Sequence, residues 1–464
     1  RQEIDQRWMF FVIAKPEQPS SFKIAEWLVA LGAVTFFILT IVIRLMTRNL
    51  DEKKLAKQFG SRRFHILMLL ALSFFIVIVL ALTWLALEHN KQQILANQKT
   101  ELEVVHKTTT RQLNNWVKTQ EFLLQDLAQE PELIANTEQL LTISENRQSL
   151  LDSTAAASIK SFFKRHQGFF GKNSFFVISP EGVNIVAPLE TDIGRQNVVF
   201  TNQTNLIQKV FGGETEFIPP MFYTRQPDAP NDRRTVSLFI AAPVRTAKGS
   251  VIAVLMQRHN PDNEFSRILQ EGRTGKAGES YAFDDTGLMV SNSRFENDLQ
   301  KTGLIGPGQH SMLLVNIRDP GGNLISGYRP DVRRSDQPLT EMASNAIRGK
   351  SETNLVGYRN YLGVPVFGTW SWDHELNLGI ATEVDVKEAL SNYYSVRFTT
   401  VSLLFFVLTL SVGAMLFTLS MGQHANRVLG RSRKELEELI DNRTRELKEK
   451  QQQLTEAVQR SRLI

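Results

Sequence analysis

Cysteine is absent from the 464 residues. No disulfide can therefore brace any part of the fold, which must be held by its apolar core alone. The eight histidines, at 65, 89, 106, 166, 259, 310, 374 and 424, include no His-Glu-x-x-His pair, which excludes the commonest helical zinc site. None is followed by an acid, an arginine and a proline, so no phosphoacceptor box is present. The glycine-bearing stretches "GPGQ" and "GRTGKAG" lack the Gly-Lys-Ser/Thr ending that a phosphate-cradling loop requires. The second of them is read as a turn ahead of a strand at Tyr281. These absences predict no catalytic residue, no metal and no cofactor within this chain.

Charge is also scarce in three places. Trp27–Ile43, Ile66–Leu87 and Phe398–Met421 are apolar runs without a charged residue, each near or above the length that crosses a ~30 Å hydrocarbon layer. We expect spanning helices over 27–46, 64–87 and 398–421. The formal net charge of +5 is concentrated beside them. Arg44 at the end of the first run and Arg48, Lys53, Lys54, Lys57, Arg62 and Arg63 in the 47–63 loop face only Asp51 and Glu52, and Arg427, Arg431, Arg433 and Lys434 follow the third run. The positive-inside rule puts both segments in the cytoplasm, and 1–26 and 88–397 outside. Localisation in a bacterial inner membrane with a large periplasmic domain is expected, and no nucleic-acid partner. The sequence opens on Arg1 and stops at Ile464 inside a helical pattern, which we take as a piece of a longer polypeptide.

Between the second and third runs the pattern changes once. Over 88–160, Leu102, Val105, Leu113, Trp116 and Val117 recur near the helical period, predicting a long helical stalk. Beyond it, "NSFFVISPEGVNIVAP" reads as strand, turn, strand, and "SLFIAAPVRTAKGSVIAVLMQR" as a hairpin turning at Lys248-Gly249. Phe176–Gly182 aligns without a gap on Tyr281–Gly287, and the hairpin Phe239–Met256 on Phe367–Val384. Gly213–Thr215 loosely echoes Lys350–Thr353. Echoes in the same order predict two α+β modules in tandem, expected to be membrane-distal over 161–265 (the distal module) and membrane-proximal over 266–397 (the proximal module). After the third run, Leu429 and Leu436, then Ile440, Leu447 and Leu454, recur every seven residues, predicting a parallel coiled coil over 422–464 and hence a homodimer.

The segment 88–397 resembles the double-Cache family of extracytoplasmic sensors. The residues that carry the resemblance are "GFFGKNSFFVISPEGVNIVAPLETDIGRQN", "GKAGESYAFDDTGLMVSNSRF", "IRDPGGNLISGYRP", "QPLTEMA" and "GYRNYLGVPVFGTWSWDHELNLGIATEVDVKEA". The resemblance implies a pair of PAS-like α+β modules that bind a small molecule and drive a histidine kinase, a cyclic-nucleotide enzyme or a chemotaxis output. "IDQRWMFFVIAKPEQ" looks like the end of a CHASE-type sensor over 1–26, and "NRTRELKEKQQQLTEAVQRSRLI" like the signalling helix leading to a PAS domain. The family's common Tyr-x-Arg pattern for amino acids is incomplete: Tyr223 and Arg225 are present without the tryptophan that should follow.

The expected fold class is thus α+β, with three transmembrane helices, a tandem PAS-like extracytoplasmic domain and a C-terminal cytoplasmic coiled coil. A ligand pocket needs an apolar wall and a few fixed polar groups. In the distal module Phe176, Tyr223 and Phe239 supply the wall, and Arg195 and Arg225 can pair a ligand carboxylate. In the proximal module Tyr281, Ser291, Ser293, Arg294, Tyr358, Trp370 and Trp372 supply similar materials. The same aromatics serve equally as core. Alternation puts Tyr281 and Phe283 on one strand face, and Ala282 and Asp284 on the other. The expected partners are a small-molecule ligand, the membrane and a second copy of the chain, with a response regulator reached only through an output domain absent from this sequence. A kinase output, a cyclase or diguanylate cyclase output, and a ligand-free adhesive ectodomain remain open.

Overall fold

The computed structural model describes residues 61–143, 146–166, 175–223 and 235–461. The expected first span and the segment before it lie outside the described residues. The chain divides into two compact units, one formed by Arg1–Ile94 with Ser391–Ile464, the other by Leu95–Leu390.

In the first unit two helices are long and apolar enough to cross a membrane, with mean hydropathies of 3.0 and 2.2 in their most apolar stretches. They belong to the helices Arg62–Ala128 and Ser391–Ser461. Their large side chains, Phe74, Trp84, Phe398, Phe405 and Leu416 among them, are exposed to the surroundings. Leu429, Leu436, Ile440, Leu447 and Leu454 are exposed as well.

The second unit begins on the remainder of Arg62–Ala128, the stalk helix. Its inward face repeats at helical spacing through Leu102, His106, Thr109, Leu113, Val117 and Leu124, all buried. The helix stops where Pro131 has no N–H to donate, and the predicted helical run continues as Pro131–Leu141, Arg147–Leu151 and Thr154–Arg165. Asn146 and Ser153 cap the last two, accepting from the N–H groups of Gln148 and Ala155.

Two antiparallel sheets follow. The distal sheet has the order β2-β1-β5-β4-β3, with β1 Phe175–Ile178, β2 Asn184–Val186, β3 Glu216–Tyr223, β4 Thr235–Arg245 and β5 Val251–His259. The proximal sheet has the order β6-β9-β8-β7, with β6 Glu279–Phe283, β7 Glu352–Arg359, β8 Pro365–Asp373 and β9 Leu378–Asp385. Each strand of the second sheet takes the place of its counterpart in β1-β5-β4-β3, so the tandem echo in the sequence is a repeat of topology. The β4–β5 hairpin turns where predicted, with Gly249 at a φ of 87° that a side chain would resist.

The core is not divided between modules. One apolar cluster joins the stalk leucines and the distal sheet to Ala282, Val290, Leu376, Leu378 and Ile380 of the proximal module. A second fills the opposite face of the proximal sheet around Tyr281, Phe283, Tyr361 and Trp370. The stalk is pinned to both sheets. His106 meets Ser371 Oγ at 2.9 Å and Thr382 Oγ1 at 3.3 Å, Asn114 donates to Asp373 Oδ2 at 2.6 Å, and Trp116 packs edge-on against His259 at 5.8 Å.

Candidate ligand sites

Antiparallel register gathers the three distal aromatics. Phe176 lies opposite Met256 and Phe239 opposite Arg258, so Phe176, Phe239 and Arg258 share one sheet face, to which β3 adds Tyr223. The three rings are buried, with centroids 6.0 to 6.4 Å apart in edge-on contacts. The Tyr223 hydroxyl donates to Asp192 Oδ2 at 3.1 Å, and the Arg258 guanidinium lies 5.5 Å from the centre of the Tyr223 ring. Asp192 is itself buried, delivered by the short turn Glu190–Asp192. The predicted arginines do not join this group in the same way. Arg195 has its main chain bonded to Asn184 and Asp192 and its side chain exposed, and Arg225 lies outside the described residues. Sequence reading missed Asp192 and Arg258. Arg258 was within reach, because counting outward from the Lys248-Gly249 turn pairs it with Phe239.

The proximal sheet assembles a more polar group. On β6 the residues Glu279, Tyr281 and Phe283 alternate onto one face. Glu279 lies opposite Glu383 on β9, Tyr281 opposite Ala381, and Ala381 opposite Trp370 on β8. Tyr358 and Tyr361 close over this face. Tyr361 donates to Glu279 Oε1 in a short hydrogen bond, Ser293 Oγ donates to Glu279 Oε2 at 3.0 Å and lies 2.8 Å from the Tyr361 hydroxyl, and Tyr358 donates to Glu383 Oε1 at 2.7 Å. The Tyr281 hydroxyl, Trp370 Nε1 and Glu383 Oε2 are buried without a hydrogen-bond partner.

Burial dominates the electrostatics here. It pushes the Glu279 carboxyl up to about 7 against the hydrogen bonds from Tyr361 and Ser293 and the backbone N–H and charge of Arg294, and, with the Glu279 charge, the Glu383 carboxyl up to about 8 against the hydroxyls of Tyr358 and Tyr281. The same burial raises the phenols of Tyr281, Tyr358 and Tyr361 well beyond their ordinary range, so all three stay neutral. Two glycines keep the floor low. A Cβ on Gly379 would meet the Phe283 ring, and one on Gly368 the Tyr358 hydroxyl.

Of the predicted proximal residues, Tyr281, Ser293, Tyr358 and Trp370 are thus brought together. Ser291 is buried and accepts from the Ala282 N–H at 3.0 Å. Trp372 is half-buried against Phe283 at 6.5 Å. Arg294 is half-buried, donating to the Gly278 carbonyl at 2.6 Å with its guanidinium 5.4 Å from the Phe295 ring centre. Glu279, Glu383 and Tyr361 were missed. The alternation through 279, 281 and 283 pointed to the first, whereas the pairing of β6 with β9 that brings up Glu383 is a long-range contact.

A groove of about 640 Å³ runs between the stalk and β7–β8, lined by Lys99, Glu103, His106, Lys107, Arg111, Glu352 and Thr353 among others. Among the described residues no group of His, Asp and Glu is arranged to hold a metal ion.

The Cache-domain family profile, of the double-Cache type, matches residues 89–393. The chain belongs to the double-Cache family. Membership places this chain in extracellular sensing and signal transduction. Among solved structures, the chain is similar to the sensor domain of the Vibrio cholerae histidine kinase DctB, at 15% identity and a TM-score of 0.39, over 63% of this chain and 98% of that one. It is also similar to the ligand-binding domain of the Pseudomonas aeruginosa PAO1 amino acid chemoreceptor PctB in complex with L-Arg, at 14% identity and a TM-score of 0.39, over 65% of this chain and 94% of that one. A third is the ligand-binding domain of the Campylobacter jejuni chemoreceptor Tlp3 in complex with L-valine, at 11% identity and a TM-score of 0.37, over 64% and 95%. No curated protein matches the double-Cache chain.

Proposed function

We propose that the chain is the sensory part of a transmembrane receptor whose Leu95–Leu390 unit binds a small molecule outside a bacterial inner membrane. The observation that carries this reading is a double-Cache domain bounded on both sides by helices apolar enough to span a bilayer. With the apolar run at 27–46 counted, three spans are proposed.

Ligand binding is proposed in the distal module. Its aromatic cluster of Phe176, Tyr223 and Phe239 ends in the buried Asp192 and in Arg258. Charges of both signs beside aromatic rings suit a small polar ligand with a carboxylate or amine, for which Arg195 and Arg225 are the proposed carboxylate partners. The proximal residues Tyr281, Ser293, Arg294, Tyr358, Trp370 and Trp372 form the second candidate site.

A ligand that favours one packing of the modules shifts their population. The helix Ser391–Ser461 then passes the shift on, as one strand of a homodimeric coiled coil, to an output domain. A histidine kinase is the proposed output, with a cyclase or diguanylate cyclase as the alternative. The testing experiment is a thermal-shift screen of the full chain in detergent against amino acids, organic acids and amines. A ligand at 100 times its Kd contributes ~2.7 kcal/mol. A panel that leaves the melting temperature unmoved, with an Asp192→Ala variant indistinguishable from wild type, would favour the adhesive ectodomain.

A further inference from the structure

Glu279 and Glu383 face each other across the β6–β9 ladder, both buried. The groups that face them are the hydroxyls of Tyr281, Tyr358, Tyr361 and Ser293, and the guanidinium of Arg294, which acts on Glu279 alone and gives one N–H to the Gly278 carbonyl. Glu341 bears on the pair only through Tyr358. Two buried carboxylates on adjacent strands, with one cation acting on Glu279 alone, cannot both stay ionised in such a setting.

The hydrogen bonds say which oxygen is incomplete. Both oxygens of Glu279 accept, from Tyr361 and Ser293. On Glu383, Oε1 accepts from Tyr358, while Oε2 has no donor within good hydrogen-bond geometry; the Tyr281 hydroxyl stands near enough to favour the charged form weakly, against burial and the facing Glu279 carboxyl. These atoms are shut off from solvent, so a water or an ammonium group would have to force the packing apart. A proton requires no room. Placed on Oε2 it removes one of the two facing charges, and the Tyr281 hydroxyl, which can donate to a carboxylate, can equally accept from the acid.

We propose that the Glu279–Glu383 pair is a proton-binding site, and that the closed packing of the proximal module requires at least one proton there, carried on Glu383 Oε2. Deprotonation leaves two buried negative charges across one strand pair, and the face of Tyr281, Tyr358 and Tyr361 that covers them loosens to admit water. Because burial raises both carboxyls to about 7 and about 8, the change falls near neutral pH. The proton site does not depend on the ligand proposed for the distal module.

Infrared difference spectroscopy of the full chain in detergent, stepped from pH 6 to pH 9, tests this. A carbonyl band of a buried, protonated carboxylic acid is expected at the acid end, disappearing as pH rises. Glu383→Gln should remove most of that band and flatten the loss of thermal stability above neutral pH, while Glu341→Gln, an exposed change, leaves both alone. If Glu383→Gln does not fold, Tyr358→Phe serves instead. It removes a donor that favours the charged carboxylate, so the titration midpoint should move to higher pH. Absence of the band at pH 6, its survival in both Glu383→Gln and Glu279→Gln, or an unmoved midpoint in Tyr358→Phe overturns the proposal. So does restoration of alkaline stability by tetramethylammonium with the acid band still missing, which would make the site's ligand an organic cation.

Discussion

His106 offers a direct measure of how firmly the stalk is seated. It lies on the buried face of the stalk, bonded to Ser371 and Thr382, and burial lowers its pKa from 6.5 to about 4. The unfolded chain therefore binds a proton between pH 6.5 and pH 4 that the folded chain refuses. Stability from this residue is complete above pH 6.5 and is lost as pH falls through that window. At pH 5 the linkage amounts to about 2 kcal/mol, and well below pH 4 to about 3 kcal/mol, at 1.36 kcal/mol per pKa step. These are large fractions of a domain stability of roughly 5–15 kcal/mol. Wild-type stability against pH will not display the effect alone. Glu279 and Glu383, with raised pKa values, act with the opposite sign, their contribution being full below about 4.5 and lost as pH rises through 7 and 8. The informative quantity is the difference between wild type and His106→Gln, measured by urea unfolding of the full chain from pH 7.5 to 4.5. Glutamine contributes a fixed offset and no titration. The variant should gain about 2 kcal/mol on wild type between pH 7.5 and pH 5. Parallel curves would mean that His106 is reached by water when the stalk is docked and that burial does not set its protonation.

Other expectations concern ligand, core and output. Once a ligand is found, Arg225→Ala or Arg195→Ala should weaken its binding by about 2–5 kcal/mol in titration calorimetry if the guanidinium pairs a buried carboxylate; normal binding in both, with loss in Arg294→Ala or Trp370→Ala, moves the site to the proximal module. Gly379→Ala puts a methyl into the Phe283 ring and should lower stability by about 1–3 kcal/mol, with no loss expected if the ring can step aside. In a parent carrying an output domain, four residues inserted after Glu446 turn the following helix by about 40° relative to the apolar seam, whereas seven nearly preserve phase. Output should be uncoupled by the first and retained with the second. Ile440→Cys and Leu447→Cys should crosslink between subunits more readily than Glu438→Cys; equal crosslinking would indicate a flexible tether.

Local pattern carried most of the architecture. The alternation of apolar residues, the Lys248-Gly249 turn and the gapless match of Phe176–Gly182 to Tyr281–Gly287 are short-range signals, and the strands and tandem modules follow from them. The break at Pro131 is equally local, although the helical period ran on past it. Legibility ended where a contact depended on which strands pair. Glu383 reads in "ATEVD" as one more strand residue, and its confrontation with Glu279 exists only because β9 lies beside β6. Asp192 is hidden for a similar reason, since a turn residue has no period to betray it. Arg195, by contrast, advertised itself by residue type and lies exposed. Composition marks where a carboxylate-binding group exists, while register decides what it meets.

The undivided core has a consequence for information rather than for stability. If the modules were strung along a tether, each could respond to its own stimulus without the other being altered. Here the stalk leucines, the distal sheet and the far face of the proximal sheet form one apolar cluster, and His106 and Asn114 grip one module while Trp116 touches the other. Packed interiors settle into discrete arrangements more readily than they flex. An event in the distal module that shifts the stalk therefore changes the setting in which Glu279 and Glu383 hold their proton. By reciprocity, whatever factor one stimulus imposes on the affinity for the other is returned in full. If the proposed ligand and proton sites both hold, the domain works as a device with two inputs and one output helix, in which the pH of the medium sets the threshold at which a ligand is heard.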